Sequence, residues 1–229
     1  RELLAPLVDT DLSNPAFPFG TARTIGIGMA LARAHRITYV GELGWELYVP
    51  ADMARHVFDV VAARGDTMGM RPCGMHALDS CRIEKAYRHH GHDISCEDHV
   101  LEAGLGFAVK TGKAAGRFGA FIGREAVLER AAQGLRRRLL QFRLEDPEPL
   151  LFHNEPILRD GRIVGRVTSG AYGHHLGAAI GLGYVPVEPG EAEAALLGAR
   201  WEIEVAGARF AARASLRPMH DPRSERPRQ

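Results

Sequence analysis

Cysteine is scarce in this chain of 229 residues: Cys73, Cys81 and Cys96 are an odd number with no Cys-x-x-Cys spacing. That argues against a disulfide scaffold and against a zinc or iron–sulfur site, and it favours a reducing compartment. The expected location is the cytoplasm, meaning a bacterial cytosol or a mitochondrial matrix. Long apolar runs are also missing. No stretch approaches the ~20 residues that a membrane-spanning helix needs, so no membrane contact is expected. Charge of one sign does not dominate: 29 Lys and Arg oppose 28 Asp and Glu, for a net charge of +1. This leaves no case for a polyanionic partner. The run Arg136-Arg137-Arg138 has no interleaved aromatics, so it reads as a solvated strand entry and no nucleic acid is expected. No Gly-x-Ser-x-Gly elbow supports a serine nucleophile. What remains is ordinary globular material, 45% hydrophobic and 25% charged, enough for one or two domains.

Periodicity divides the chain in two. Residues around 2–7 read as a short helix, 25–31 and 35–39 as strands, and 47–49 as a short strand. Met53, Val57, Val60 and Val61 fall on one face of a helix over about 51–64, with Gly65 as its stop. A second helix is expected over about 72–87, a strand over 105–109 and a helix over 124–133. This alternation predicts an α+β domain with helices on one face of a mostly antiparallel sheet. From Arg137 onward short strands follow at hairpin spacing, over 139–144, 157–164 around an Asp160-Gly161 turn, 177–185, 201–205 and 209–215. They predict a small barrel or sandwich. The expected domains are therefore 1–134 and 135–222. The Pro/Arg/Ser-rich end, residues 223–229 with the two before it, is expected to fray.

The densest chemistry lies in Tyr39-Val40-Gly41-Glu42-Leu43-Gly44-Trp45-Glu46-Leu47-Tyr48. Glycines let backbone approach a ligand closely, aromatics offer flat faces, and a carboxylate accepts two hydrogen bonds from an N–H/NH2 edge. The composition points to a planar, nitrogen-rich heterocycle such as a pterin or a purine. Other patterns are weaker. Residues 25–31 begin like a dinucleotide fingerprint, but its third position is Leu31 and no strand–turn–helix unit surrounds it. His89, His90, His92 and Asp93 are suitable metal ligands by type. His89 and His90 are adjacent, however, and do not easily face one ion, so no metal is expected.

Tyr39-x-Gly41-Glu42-x-Gly44-x-Glu46 resembles the signature of the glycine-cleavage T-protein (aminomethyltransferase) family. The flanks agree: Asp11-Leu12-Ser13-Asn14, Phe17-Pro18-Phe19-Gly20-Thr21, Arg82-Ile83-Glu84-Lys85-Ala86-Tyr87-Arg88, Gly91-His92-Asp93-Ile94 and Val167-Thr168-Ser169-Gly170, in family order. The wording is most similar to the C-terminal folate-binding part of dimethylglycine and sarcosine dehydrogenases. The cysteine box of the iron–sulfur-linked branch is absent from its counterpart, residues 84–91. The resemblance implies a ferredoxin-like half of a folate-binding α+β domain followed by a small antiparallel β-barrel. It implies tetrahydrofolate as cofactor, with FAD only where an upstream domain exists. It implies that Glu46 grips the pterin edge and Tyr39 orients the reactive end of the folate. Glu42, Trp45, Arg82 and Glu84 are weaker candidates, with Trp45 expected to pack and Arg82 and Glu84 expected to be structural.

No catalytic residue is assigned, because the family's aspartate would lie upstream of Arg1, and this chain alone is expected to be catalytically silent. One departure is plain. The family often carries an arginine for the folate tail where this chain has Leu78. The implied reaction is tetrahydrofolate-dependent one-carbon transfer from a small methylated amine or an aminomethyl donor. The implied partners are an upstream flavin domain or a lipoyl carrier protein. Two alternatives share the fold, a non-catalytic folate-binding or interaction module and a folate-dependent demethylase of a non-amine donor.

Overall fold

The computed structural model describes residues 1–111 and 121–229. Contacts group the chain into two compact units, residues 1–81 with 223–229, and residues 82–222.

The first unit is built on three antiparallel strands in the order β1 (Ala22–Ile27), β2 (Ala30–His35) and β3 (Glu46–Tyr48). Strand period 2 explains the layering. Ile25 and Ile27 of β1 and Ala30, Ala32 and Ala34 of β2 are buried, while Leu31 and Arg33 between them face outward. The strands expected over 25–31 and 35–39 are corrected here. Gly28, at φ +57, turns the chain, so residues 25–31 are the end of one strand, a turn and the start of the next. A Cβ at Gly28 would lie 2.4 Å from His56 Nε2, and that nitrogen accepts the Met29 N–H at 2.9 Å. The glycine pattern at 26 and 28 thus serves a hairpin. Helix α1 (Ala54–Asp66) adds Val57 and Val61 to a core with Leu12, Phe17, Ile25 and Ile27. At the N-terminus the expected helix is only a 3-10 turn, Ala5–Leu7.

The C-terminal segment, expected to fray, instead packs within this unit. It forms a 3-10 turn, Arg226–Arg228, with Pro227 buried. Its carbonyls accept side-chain donors: Arg228 O from Asn14 Nδ2 at 3.1 Å, and Gln229 O from Arg1 Nη2 at 2.8 Å and Arg36 Nη2 at 3.1 Å. Composition signalled disorder, but these polar side chains satisfy the segment's backbone.

Helix α2 (Met75–Glu84) crosses the division, and its last three residues belong to the second unit. It stops three residues before the expected 87. The Ala86 N–H meets Ile83 O at 2.8 Å and the Tyr87 N–H meets Arg82 O at 2.9 Å, the paired bonds of a Schellman end, with Ala86 in the left-handed region at φ 51. The strand expected over 105–109 is a 3-10 turn, Gly106–Ala108. Gly104, at φ +70, bends the chain just before it, and Phe107 is exposed. Helix α3 (Arg124–Gln133) then runs between Gly123 and Gly134, both at positive φ.

Six strands close an antiparallel barrel: β4 (Arg137–Leu144), β5 (Pro156–Arg159), β6 (Arg162–Gly173), β7 (Ala178–Pro186), β8 (Trp201–Val205) and β9 (Ala208–Ser215), in the order β4-β7-β6-β5-β8-β9. Pairing of β4 with β9, Gln141 opposite Ser215, shuts it. Its core holds Leu140, Phe142, Ile157, Val167, Trp201 and Ile203. Phe142 meets Trp201 edge-on at 5.4 Å. A short helix α4 (Glu193–Gly198) buries Leu196, whose carbonyl accepts Trp201 Nε1 at 3.0 Å. Glycines let the β6–β7 seam close: a Cβ at Gly165 would sit 2.2 Å from Tyr184 O. Ile83 and Ala86 pack with Leu139, Ile180 and Leu182 of β4 and β7 in a second apolar cluster. The α+β part followed by a barrel is thus the architecture of the chain.

Candidate functional site

The register of β2 and β3 decides which way the central stretch faces. His35 lies opposite Glu46, Arg33 opposite Tyr48, and Ala34 opposite Leu47. Directly opposed residues share a face. Leu47 therefore joins buried Ala34 in the core. Glu46 and Tyr48 stand with His35 and Arg33 on the other, polar face. There the Tyr48 hydroxyl donates to Glu46 Oε2 at 3.0 Å, and its ring lies 4.8 Å from that of His35. The bond to the Glu46 carboxylate, helped by its charge, holds the Tyr48 hydroxyl above its ordinary range. Arg33 Nε donates to His35 Nε2 at 3.1 Å. Glu46 Oε1 has no partner among the described residues. A half-exposed carboxylate with one uncommitted oxygen, beside two aromatic rings, can take an N–H edge.

The other candidates fall elsewhere. Tyr39 is half-buried in the irregular segment that Gly41, at φ +77, turns towards β3. Glu42 accepts Arg226 Nε on both oxygens, at 2.8 and 2.9 Å, so it anchors the C-terminal segment. Trp45 packs in the first unit's core, with its ring 6.1 Å edge-on to Phe17 and the Arg36 guanidinium 5.6 Å from its centre.

Arg82 and Glu84 lie in the second unit and are almost fully buried. Each has partners of its own. Arg82 Nη1 donates to Asp93 Oδ2 at 2.5 Å and Nη2 to Ser169 Oγ at 2.8 Å. Glu84 Oε1 accepts the N–H groups of His175 at 2.7 Å and Leu176 at 3.1 Å, and Oε2 meets His175 Nδ1 at 2.9 Å. Both side chains tie segments of the barrel unit together. Asp93 also takes the His89 N–H at 2.9 Å and the Thr168 hydroxyl, so its carboxylate is committed to protein donors.

Sequence reasoning missed His35 and Arg33 as members of the polar face. Their signal was the period-2 alternation through β2, hidden because that strand was expected to begin at residue 35.

Two family models match the chain: "GCVT N-terminal domain" over residues 1–113, and "Glycine cleavage T-protein C-terminal barrel domain" over 137–221. A 4-methylaminobutanoate oxidase (formaldehyde-forming) of Paenarthrobacter nicotinovorans is 40% identical over 226 residues, covering 99% of this chain and 26% of that protein. The mitochondrial sarcosine dehydrogenase of Homo sapiens is 38% identical over 229 residues, covering 99% of this chain and 24% of that protein. The crystal structure of glycine cleavage system aminomethyltransferase T from Bartonella henselae shares the fold, with a TM-score of 0.78 at 24% identity over 96% of this chain and 57% of that one. The chain spans about a quarter of the length of these two curated relatives. With one model on the α+β part and the other on the barrel, the chain belongs to the glycine cleavage T-protein family.

Proposed function

We propose that this chain binds tetrahydrofolate and serves one-carbon transfer as the C-terminal portion of a larger protein. The single observation that carries the reading is Glu46. It stands in the family motif, on the polar face of β3, with Oε1 open and Oε2 steadied by Tyr48. A carboxylate so placed fits the N–H/NH2 edge of a pterin, and Tyr39, seven positions earlier in the motif, fits the reactive end of the folate.

The named activities of the relatives favour a secondary N-methylamine as donor, since sarcosine and 4-methylaminobutanoate both carry that group. The family supplies the aminomethyl alternative. FAD belongs to a preceding domain in this reading, because residues 25–31 form a hairpin and not a dinucleotide-binding turn. In this reading residues 1–134 are the folate-binding part, 135–222 the barrel and 223–229 the tail, while the compact units of the structure divide at Cys81 and Arg82. When bound, tetrahydrofolate supplies the acceptor nitrogens for the one-carbon unit. This chain's own contribution is to fix the ring by Glu46 and the reactive end by Tyr39, which is positioning work. Proton movement falls to residues outside the chain, so residues 1–229 alone turn over no donor.

Titration of tetrahydrofolate into the chain, read by tryptophan fluorescence, tests the reading. Two hydrogen bonds to a charged acceptor are worth roughly 1.5–3 kcal/mol each, so Glu46→Gln weakens binding by about tenfold or more. Equal affinity in Glu46→Gln, with circular dichroism unchanged, removes the assignment.

A further inference from the structure

The outward face of β4 and β9 carries two arginines side by side. Arg143 lies directly opposite Arg213 in the register, so the two side chains share a face. Their neighbours Phe142, Leu144, Ala212 and Ala214 are buried, which makes that face the outer one. Like charges placed directly opposite each other destabilise a sheet. Among the described residues neither guanidinium has an acidic partner to offset this. Arg143 Nε donates to Leu176 O at 3.0 Å, which orients the group and leaves its two Nη atoms uncommitted. Both arginines line a cavity of about 780 Å³ in the second unit. That volume lies in the range of small-molecule sites, roughly 300–1,000 Å³. Nothing in the folate reading uses it.

A third polar group lines the same cavity. His175 directly precedes the residue whose carbonyl holds Arg143. Glu84 fixes its tautomer: Oε2 accepts from His175 Nδ1 at 2.9 Å, so the ring proton sits there and Nε2 is left as an acceptor. The His220 ring stacks on it at 4.2 Å and holds its plane. All three groups meet solvent, with Arg143 half-buried and Arg213 and His175 exposed. Among the described residues no acid lines the cavity. Glu84 lies behind the histidine, 2% exposed, with both oxygens taken by His175 and Leu176. Glu145, exposed and next in the outward row after Arg143, pairs with neither arginine. The two guanidinium charges are therefore uncompensated. The remaining wall is apolar, from Leu176, Leu197 and Met219.

We infer that this cavity is a phosphate site, in which Arg143 and Arg213 clasp the phosphate group of a small molecule and His175 Nε2 takes the hydrogen bond of its remaining P–OH. Two guanidiniums match a phosphate ester, which carries roughly −1.5 to −2, better than the single charge of a carboxylate. The ester also titrates near pH ~6, so phosphate and imidazole share one proton between them, which a carboxylate does not bring at neutral pH.

Calorimetric titration of the full chain at constant ionic strength tests this, with phenyl phosphate, inorganic phosphate and glutarate as separate probes. The expected result is saturable one-to-one binding of a phosphate probe, with glutarate weaker. Tighter binding of phenyl phosphate identifies an ester whose body lies on the apolar wall, and tighter binding of inorganic phosphate identifies the free ion. Arg213→Gln removes an exposed side chain and weakens phosphate binding by about tenfold or more, the loss of charge-assisted hydrogen bonds. Arg209→Gln is the control for general charge: it lies on the same strand, paired with Glu204 at 3.4 Å, and keeps the parent's affinity. A second readout separates a binding role from a structural one. In Arg213→Gln the melting temperature of the ligand-free chain rises, because the like-charge pair is relieved, while the rise induced by phosphate shrinks. Absence of saturable phosphate binding, glutarate bound as tightly as phosphate, or affinities in Arg213→Gln equal to those of the parent or of Arg209→Gln overturns the inference.

Discussion

At the scale of single residues, the buried pair of Arg82 and Asp93 shows what a committed charge network costs to break. Arg82 is 2% exposed, and its guanidinium depends on Asp93, on the Tyr87 carbonyl and on Ser169. Removing the acid leaves a buried cation without its counter-charge, and also frees the His89 N–H and the Thr168 hydroxyl. Asp93→Ala should therefore cost about 3–5 kcal/mol in urea denaturation. A loss below ~1 kcal/mol shows that the pair contributes little. Arg82 and Glu84 were legible as important from sequence, but their partners were not. Asp93 is 11 positions from Arg82 and His175 is 91 positions from Glu84, and only the fold brings them together. Glu46 and Leu47 show the opposite case. Strand alternation alone puts one on the polar face and the other towards the core, as their residue types suggest.

At the scale of elements, local chemistry decided what could be read in advance. Helix α3 lies between two glycines, and the β5–β6 turn carries Asp160 at φ 52 and Gly161 at φ 82, the pattern of a type I′ hairpin. Both are written in residue type. Gly161→Val should accordingly cost roughly 1–2 kcal/mol, since only glycine adopts that conformation without strain, and thermal denaturation reads it directly. The end of α2 is illegible because Ala86, not glycine, takes the left-handed position. The C-terminal segment misleads for a different reason. Its proline and arginine content resembles a solvated tail, yet Arg36, 1% exposed, needs Gln229 O as an acceptor, and Glu42 needs Arg226. Deleting residues 223–229 should lower stability by about 1–3 kcal/mol, the cost of leaving a buried donor unmet. Unchanged urea midpoints for the shortened chain return the segment to the status of a free tail.

At the scale of the whole molecule, the sequence allows a barrel or a sandwich, because strand spacing fixes the strands and not their partners. Closure depends on β4 pairing with both β7 and β9, and the second contact joins residues some 70 positions apart. Tyr184 of β7 reports on the integrity of that closed unit. Burial raises its hydroxyl to about 12, with Asp98 adding to the rise and Arg137 drawing it back. In the unfolded chain the same group ionises near its ordinary value of about 10. Below pH ~10 both states hold the proton, and the stabilising difference is fully present. As pH climbs from there towards about 12, the unfolded chain gives up a proton that the folded chain retains, so unfolding is progressively favoured. Denaturation followed across that window should show stability falling with pH, and Tyr184→Phe should flatten part of the fall. Tyr48 is raised too, by its bond to Glu46, and it contributes equally in both proteins, so the difference between their pH profiles isolates Tyr184. Parallel profiles place the Tyr184 hydroxyl in water and remove its burial as the cause.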